Sequence, residues 1–155
     1  MNIRKAETKD IDQILDLLSQ VLEIHAEIRP DIFVSGHTKY MKEELEEMIK
    51  DENYLIYVAE DSDIIMAYAF CNIVTPKFSH TMKPMKILYI DDFCVDKKYR
   101  RQHIGEALFD YIKQVASELG CYEIALYHWE GNDSAKKFYE KMGLKEKAST
   151  LEYIL

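Results

Sequence analysis

Cysteine, basic charge and long apolar runs are all scarce in this sequence. The three cysteines, Cys71, Cys94 and Cys121, are odd in number and far apart, and each lies inside an apolar run. A disulfide framework needs paired cysteines, and a zinc site needs closely spaced Cys and His ligands, so neither is predicted. The pattern predicts reduced thiols in a cytoplasmic protein without a metal site.

The charge balance and the hydropathy exclude two further classes of partner. No apolar run reaches the roughly 18 residues that a membrane-spanning helix needs, and the opening residues do not read as a signal peptide. The formal net charge of −8 argues against nucleic acid, because binding to phosphates requires a basic face. An acidic surface favours a cationic ligand such as an amine, or serves solubility alone. We therefore expect neither a membrane nor a nucleic-acid partner.

Hydrophobic periodicity predicts an α+β fold in α/β/α layers around a mixed sheet. The 155 residues are enough for one domain with a buried core, so we expect a single domain over residues 1–155. The predicted order is strand, two helices, three strands, helix, strand, helix and strand. The second helix is predicted over Thr38–Lys50, the fifth strand over Cys121–Trp129, and the last strand, or two short strands in series, over Leu144–Leu155. A crossover helix should make the fourth and fifth strands parallel.

The stretch YIDDFCVDKKYRRQHIGEAL, from Tyr89 to Leu108, combines a strand, a basic turn and the start of a helix. The first turn of a helix has N–H groups without intrahelical partners and carries partial positive charge, so it binds anions such as a pyrophosphate. Arg100 and Arg101 add charge, and Gly105 permits close approach of the backbone. Taken alone, a double arginine before a helix is more often a solvated face.

A second segment, NDSAKKFYEKMGL from Asn132 to Leu144, reads as a capped helix ended by a glycine. Together the two segments resemble the GNAT family, the acetyl-CoA-dependent N-acetyltransferases. The family's R/Q-x-x-G-x-G/A element is similar to Arg100–Gly105, where His103 replaces the first glycine, and its N-x-x-A-x-x-F/L-Y-x-x-x-G-F/L element is similar to the second segment. The resemblance covers nearly the whole chain. It implies the GNAT fold, in which the parallel strands splay apart and acetyl-CoA enters the gap.

The resemblance also implies which residues bind acetyl-CoA and which act on it. Tyr139 corresponds to the family's general acid, and it shares a helix face with Asn132 and Ala135; the alternative is a core aromatic beside Phe138. Because the family transfers the acetyl group directly, Cys94 is interpreted as a small core hydrophobe and not as a nucleophile. The residues predicted to bind the cofactor are Phe93, Cys94, Val95, Arg100, Arg101, Gln102, His103, Ile104, Gly105, Glu106, Asn132, Ser134, Ala135 and Tyr139.

Two adjacent acids, Asp91 and Asp92, lie inside an apolar strand. Alternation along a strand predicts that they point to opposite faces, so at least one should be sheltered, with a raised pKa suited to base catalysis. The run YIDDFCV is similar to a segment of diamine (spermidine/spermine) acetyltransferases. In that comparison Asp91 is the base, acting through water, and Asp92 binds the acceptor. The alternative is that one acid caps a turn or pairs with a lysine.

The acceptor side is predicted to be lined by the segment His25–Phe33, as in the family, and acceptor identity also depends on the loop Pro76–Pro84. Glu27 and Asp31 are candidates to meet a substrate ammonium; in the alternative, Arg29 and Asp31 pair with each other. The predicted function is acetyl transfer from acetyl-CoA to a primary amine of a small cationic metabolite, polyamine-like or amino-acid-like, in a ternary complex. An enzyme acting on protein amines and a coenzyme-A-binding regulatory module remain alternatives. A homodimer is a further expectation.

Overall fold

The computed structural model describes residues 1–77 and 80–155, and within them it has one sheet of five strands in the order β1-β2-β3-β4-β5. Neighbours are antiparallel from β1 to β4, and β5 lies parallel to β4. The predicted mixed sheet, in which the fourth and fifth strands are parallel, is confirmed. The strands are β1 (Asn2–Lys5), β2 (Tyr54–Asp61), β3 (Ile64–Val74), β4 (Ile87–Val95) and β5 (Glu123–Leu126).

Helices cover both faces of this sheet, which gives the predicted α/β/α layers. Along β2, Ile56 and Val58 belong to the core under α1 and α2, whereas Tyr57 and Ala59 belong to the core under α3. This two-residue alternation is what a strand buried on both faces requires. The helices are α1 (Ile11–Ile28), α2 (Lys42–Lys50), α3 (Ile104–Glu118) and α4 (Asp133–Lys141), with short 3-10 turns at Thr8–Asp10 and Lys97–Tyr99.

The second helix begins four residues later than predicted, at Lys42 and not at Thr38. Met41 has extended backbone angles, and the Glu44 carboxylate accepts a hydrogen bond from its N–H, so the helix is capped there. Lys39 and Tyr40 therefore lie in the connection between α1 and α2. This shift brings both residues to the functional site described below.

The predicted strand or strands over Leu144–Leu155 are wrong: the structure describes all of these residues and places no strand there. The fifth strand is also shorter than predicted, with only four residues. Two side-chain contacts, from Lys147 to Glu123 and from Glu152 to Arg29 (2.6 Å), hold the terminal segment. A strand needs a partner edge as well as apolar residues, and Leu151, Tyr153, Ile154 and Leu155 are exposed.

A β-bulge in β4 opens the sheet. Phe70 of β3 pairs with Asp92 and Cys71 pairs with Ile90, so Asp91 is the extra residue of the bulge. The parallel pairing with β5 stops at the pair Ile90–Leu126, whereas β4 continues along β3 as far as Val95. The two parallel strands thus splay apart beyond the bulge, as the family resemblance implied. The residues of the loop Pro76–Pro84 numbered 78 and 79 lie outside the described part of the chain.

Candidate active site

A cleft of about 690 Å³ opens where β4 and β5 part. Its walls come from β4 after the bulge, the start of α3, the start of α4, the residues after β5, and the connection between α1 and α2. Gln102 and Glu27 are outside the lining, and both are exposed. The other predicted site residues all line the cleft: Asp91, Asp92, Phe93, Cys94, Val95, Arg100, Arg101, His103, Ile104, Gly105, Glu106, Asn132, Ser134, Ala135 and Tyr139.

The start of α3 forms an anion-binding end of the cleft. The first intrahelical bond runs from Ala107 to His103, so the N–H groups of the residues between them have no partners within the helix. Arg101 and His103 both have left-handed φ angles, of 62° and 61°. Alternation of backbone handedness turns successive N–H groups toward one point, as in anion-binding nests. With Arg100 beside them, these residues fit a pyrophosphate.

The left-handed backbone at His103 explains why the family pattern has a glycine there. A side chain at a left-handed position costs about 1–2 kcal/mol, partly offset because glycine is more flexible in the unfolded chain. We expect His103→Gly to raise the free energy of unfolding by up to about 1 kcal/mol and to leave acetyl-CoA affinity unchanged. Urea denaturation and calorimetric titration measure both quantities. A loss of more than about 1 kcal/mol would show that the contact of His103 with Glu106 (2.9 Å) matters more.

Gly105 is buried in the first turn of α3, where it permits close packing of the helix. A Cβ at this position would lie 3.1 Å from Cγ2 of Val95 and 3.3 Å from Cε2 of Phe138. Packing gives Gly105 a structural role besides the predicted approach to a phosphate, because α3 packs directly on β4 and α4. Both contacts fix the helix start relative to the strand that lines the cleft.

We expect Gly105→Val to lower the free energy of unfolding by about 1–3 kcal/mol, the range of overpacked cores. The matched control is Gln114→Val, which adds the same β-branched residue on the exposed face of α3 and should change stability by about 0.5 kcal/mol or less. Urea denaturation compares the two variants. A loss for Gly105→Val no larger than that of the control would mean that packing at Gly105 does not limit the size of the side chain.

Tyr139 lies in the cleft wall on α4. Asn132 caps this helix by accepting a hydrogen bond from the Ala135 N–H (3.3 Å), and the Tyr139 ring packs edge-on against Phe93 with centroids 6.5 Å apart. Burial, with a smaller contribution from nearby Asp92, raises the pKa of the Tyr139 phenol above its ordinary value. The phenol is therefore protonated at neutral pH and can donate a hydrogen bond to a departing sulfur.

The bulge places both acids of β4 on the same side of the cleft, so the prediction that they point to opposite faces is wrong. Lys39 Nζ lies 2.9 Å from Oδ2 of Asp91 and 3.8 Å from Oδ2 of Asp92. Strand alternation fails here because the extra residue of a bulge interrupts it. The predicted alternative, in which an acid pairs with a lysine, is what the structure has.

The two carboxylates nevertheless differ in their surroundings. The Asp92 side chain is 8% exposed and accepts a hydrogen bond from the Tyr68 hydroxyl (3.2 Å). Burial raises its pKa to about 6, although Lys39 and Tyr68 act in the opposite direction. Asp91 is more exposed, at 32%, and accepts from the Tyr40 hydroxyl and from Lys39. Asp92 is the better candidate for a proton acceptor, and Asp91 is tightly engaged.

Sequence reasoning missed Lys39 and Tyr40. Both were placed inside a predicted helix, and they meet Asp91 from 52 and 51 residues away. No local pattern signals a contact across that distance.

Aromatic rings line another part of the cleft, where the predicted segment His25–Phe33 contributes His25 and Phe33, and Trp129 was not predicted. Phe33 packs on His25 and edge-on against Trp129, with ring centroids 5.1 Å apart in each pair. Burial lowers the pKa of His25, so its ring is neutral near pH 7. His25 lies on α1, and Glu27 follows about 200° farther around this helix, which places its side chain on the solvent side. The structure thus does not bring the predicted substrate ligand Glu27 to the cleft.

Asp31 is not available to a substrate ammonium in this structure. Arg29 donates to both oxygens of its carboxylate, with distances of 2.9 and 2.7 Å. The predicted alternative, an internal pair of Arg29 and Asp31, is confirmed.

Cys94 is buried, and burial raises the pKa of its thiol to about 12. Its Sγ contacts the carbonyl oxygen of Leu17 at 3.7 Å. A thiol with this pKa is almost entirely protonated at neutral pH, so Cys94 is a poor nucleophile. This burial agrees with the interpretation of Cys94 as a small core residue.

Two features are absent from residues 1–77 and 80–155. No cluster of His, Cys, Asp or Glu there is arranged to hold a metal ion. No helix in that part of the chain is long and apolar enough to cross a membrane.

A family model described as the acetyltransferase (GNAT) family matches residues 18–144. The chain belongs to this family. The predicted GNAT family, inferred from the two motifs, is confirmed, and acetyl-CoA is the acyl donor of GNAT enzymes. The more specific similarity to diamine acetyltransferases stays a prediction.

Known proteins resemble the chain to different degrees. The crystal structure of a mutant of the BH1408 protein of Bacillus halodurans is 31% identical, with a TM-score of 0.95, over 100% of this chain and 99% of that one. A probable glucosamine 6-phosphate N-acetyltransferase of Drosophila melanogaster is 28% identical over 92% of this chain and 60% of its own length. The chain thus spans about three fifths of that relative.

A more distant neighbour supports the fold alone. It is an aminoglycoside acetyltransferase from an uncultured soil metagenomic sample, solved in complex with sisomicin. The two chains are 19% identical, with a TM-score of 0.71 over 99% of this chain and 95% of that one.

Proposed function

We propose that this GNAT protein transfers the acetyl group of acetyl-CoA to a primary amine of a small cationic metabolite. The observation that carries the proposal is the pair Asp91 and Asp92 at the mouth of the gap between β4 and β5. In the structure this pair already holds an ammonium group, that of Lys39. Tyr139 lies in the same cleft, and the charge of Asp92 contributes to the raised pKa of its phenol. A cationic acceptor fits this charge.

Residues along the gap would hold acetyl-CoA. The N–H groups at the start of α3, with Arg100 and Arg101, suit the pyrophosphate. The edge of β4 from Phe93 to Val95 has no strand partner on the β5 side, so its backbone groups can bind the pantetheine arm and the acetyl carbonyl. Asn132, Ser134 and Ala135 line the opposite wall. The role of each of these residues is part of the proposal.

The acceptor amine must lose a proton before it attacks. A free alkylamine has a pKa near 10, and Asp92 has a pKa of about 6. Transfer to Asp92 is therefore uphill by about 5 kcal/mol for an amine with an unperturbed pKa. Desolvation in the cleft lowers the pKa of the amine and so reduces the pKa difference between the amine and Asp92. We assign the base to Asp92, because Asp91, which the family resemblance favours, is engaged by Tyr40 and Lys39.

Attack then proceeds within one ternary complex. The amine nitrogen forms a bond to the thioester carbon, the C–S bond breaks, and the thiolate of coenzyme A leaves. Tyr139 donates a hydrogen bond or a proton to the sulfur, and the amine proton leaves through Asp92. Cys94 takes no part, because its protonated thiol is a poor nucleophile.

The acceptor end of the cleft favours a small molecule over a protein chain. Phe33, Trp129 and His25 line it with aromatic rings, and aromatic faces bind cations and sugar rings alike. The amino sugar phosphate named for the Drosophila relative is therefore a candidate beside diamines and polyamines. A flat, open groove would have favoured a peptide.

Two measurements test the proposal. Calorimetric titration with acetyl-CoA measures binding, and release of free thiol measures turnover over diamines, polyamines, amino acids, glucosamine 6-phosphate and short peptides. Turnover with a small cationic amine supports the proposal. Turnover with peptides alone would replace it by a protein acetyltransferase, and binding without any turnover would favour a regulatory module that binds coenzyme A.

A further inference from the structure

The cleft contains a primary amine that belongs to the protein. Lys39 Nζ lies 2.9 Å from Oδ2 of Asp91 and 3.0 Å from its carbonyl oxygen. Its side chain is 40% exposed and lines the cleft with both carboxylates. The amine is thus held where the proposed acceptor amine would bind.

The groups needed for acetyl transfer surround this amine. Oδ2 of Asp92 lies 3.8 Å from Lys39 Nζ, and Asp92 is close enough to Tyr139 for its charge to raise the pKa of the phenol. Lys39, Asp92 and Tyr139 thus line the same cleft, with the Lys39 amine next to the proposed base. Lys39 lies between α1 and α2, outside any helix or strand, so its four-carbon stem and its backbone can adjust.

Other lysines lack this environment. Within residues 1–77 and 80–155, Lys39 alone of the lysines lines the cleft. Lys42, three residues along the chain, is 51% exposed and pairs with Asp12 at 2.7 Å. Lys141 pairs with Glu106 at 2.6 Å, near the start of α3. Lys42 is therefore an internal control for acetylation that does not depend on the cleft.

We propose that Lys39 is a site of self-acetylation, modified within its own chain when acetyl-CoA is bound and no acceptor amine is present. This inference rests on the proposed acetyl transfer. The Lys39 ammonium loses one proton to Asp92, and its nitrogen forms a bond to the acetyl carbonyl carbon. The C–S bond breaks and Tyr139 gives its proton to the leaving thiolate, while the second proton that the nitrogen loses on forming the amide restores the Tyr139 phenol. The products are Nε-acetyl-Lys39 and coenzyme A, and no oxidant or further reactant is needed.

Self-acetylation and acceptor turnover compete for one subsite. An accepted amine that enters as a cation must displace the Lys39 ammonium from Asp91 and Asp92. The accepted amine should therefore protect Lys39 from modification. Acetylation removes the positive charge of Lys39 and leaves the two carboxylates without their internal partner.

The test is incubation of the full chain with acetyl-CoA carrying an isotopically labelled acetyl group, without an amine. Intact mass and peptide mapping follow the label over time. We expect labelling of Lys39 at least about tenfold faster than of Lys42, with a first-order rate constant independent of protein concentration. Lys39→Arg should keep the fold and the charge but remove the label.

Catalytic variants separate this reaction from chemical acetylation. Tyr139→Phe and Asp92→Asn should each lower the rate at Lys39 about 100-fold and leave the rate at Lys42 unchanged; two variants guard against a folding defect in either one, which circular dichroism would reveal. Equal labelling of Lys42, a rate proportional to protein concentration, or insensitivity to both variants would overturn the proposal. Amine turnover without label at Lys39 would overturn this inference alone, whereas loss of both activities despite acetyl-CoA binding would overturn the proposed function as well.

Discussion

Replacement of Tyr139 by phenylalanine is expected to lower the maximal rate of acetyl transfer about 100-fold, the lower part of the range for loss of a general acid. The affinity for acetyl-CoA should change little, because the ring still packs against Phe93 and Phe138. The lost group is the hydroxyl that we propose as the donor to the departing sulfur. Steady-state kinetics of thiol release and calorimetric titration separate the two quantities.

The matched control for this variant is Tyr57→Phe. Burial also raises the pKa of Tyr57, to about 12, but its ring contacts Tyr111 outside the cleft. Tyr57→Phe should therefore leave the maximal rate of acetyl transfer unchanged. A normal maximal rate for Tyr139→Phe would reject the acid role and leave Tyr139 as a wall residue.

The second large effect is expected for Asp92→Asn. A base works when it is ionised, and burial raises the pKa of Asp92 to about 6. The rate of the wild type should therefore rise with pH through about 6 and then level off, falling as the pH drops below that value. In Asp92→Asn we expect a rate about 100-fold lower at neutral pH. Its rate should continue to rise toward the pKa of the amine, near 10, because only neutral amine reacts.

The adjacent variant Asp91→Asn decides which carboxylate is the base. In the wild type, Lys39 balances the charge of the Asp91 carboxylate, and the Tyr40 hydroxyl donates a hydrogen bond to it. We expect a smaller loss of rate, about tenfold or less, with the inflection near pH 6 retained. pH–rate profiles of both variants with one amine make the comparison. Loss of the inflection in Asp91→Asn, and its retention in Asp92→Asn, would return the base role to Asp91.

The helix starts that line the cleft could be predicted because their residues are local in sequence. The segments Arg100–Glu106 and Asn132–Ala135 each begin a helix, and the physics of helix starts acts over neighbouring residues. The sheet and its layers followed from periodicity for the same reason. The most predictable positions were those determined by residues within about one helical turn of each other in the sequence.

The acceptor side could not be predicted because its geometry depends on distant pairings. The bulge at Asp91 arises from the register between β3 and β4, at Phe70 and Cys71, and the sequence of β4 alone does not reveal it. Lys39 and Tyr40 reach Asp91 through the packing of α1 and α2 on the sheet. The predicted last strand failed likewise, since apolar residues favour a strand only where an edge is available to pair.

Hydrogen-exchange mass spectrometry with and without acetyl-CoA tests most directly whether the gap between β4 and β5 is the cofactor site. We predict slower exchange at Phe93–Val95 and in the first turn of α3, where backbone N–H groups would bind the ligand. The strands β1 and β2, far from the cleft, should be unchanged. Protection confined to other elements, or none despite saturating acetyl-CoA, would contradict the placement of the active site in this gap.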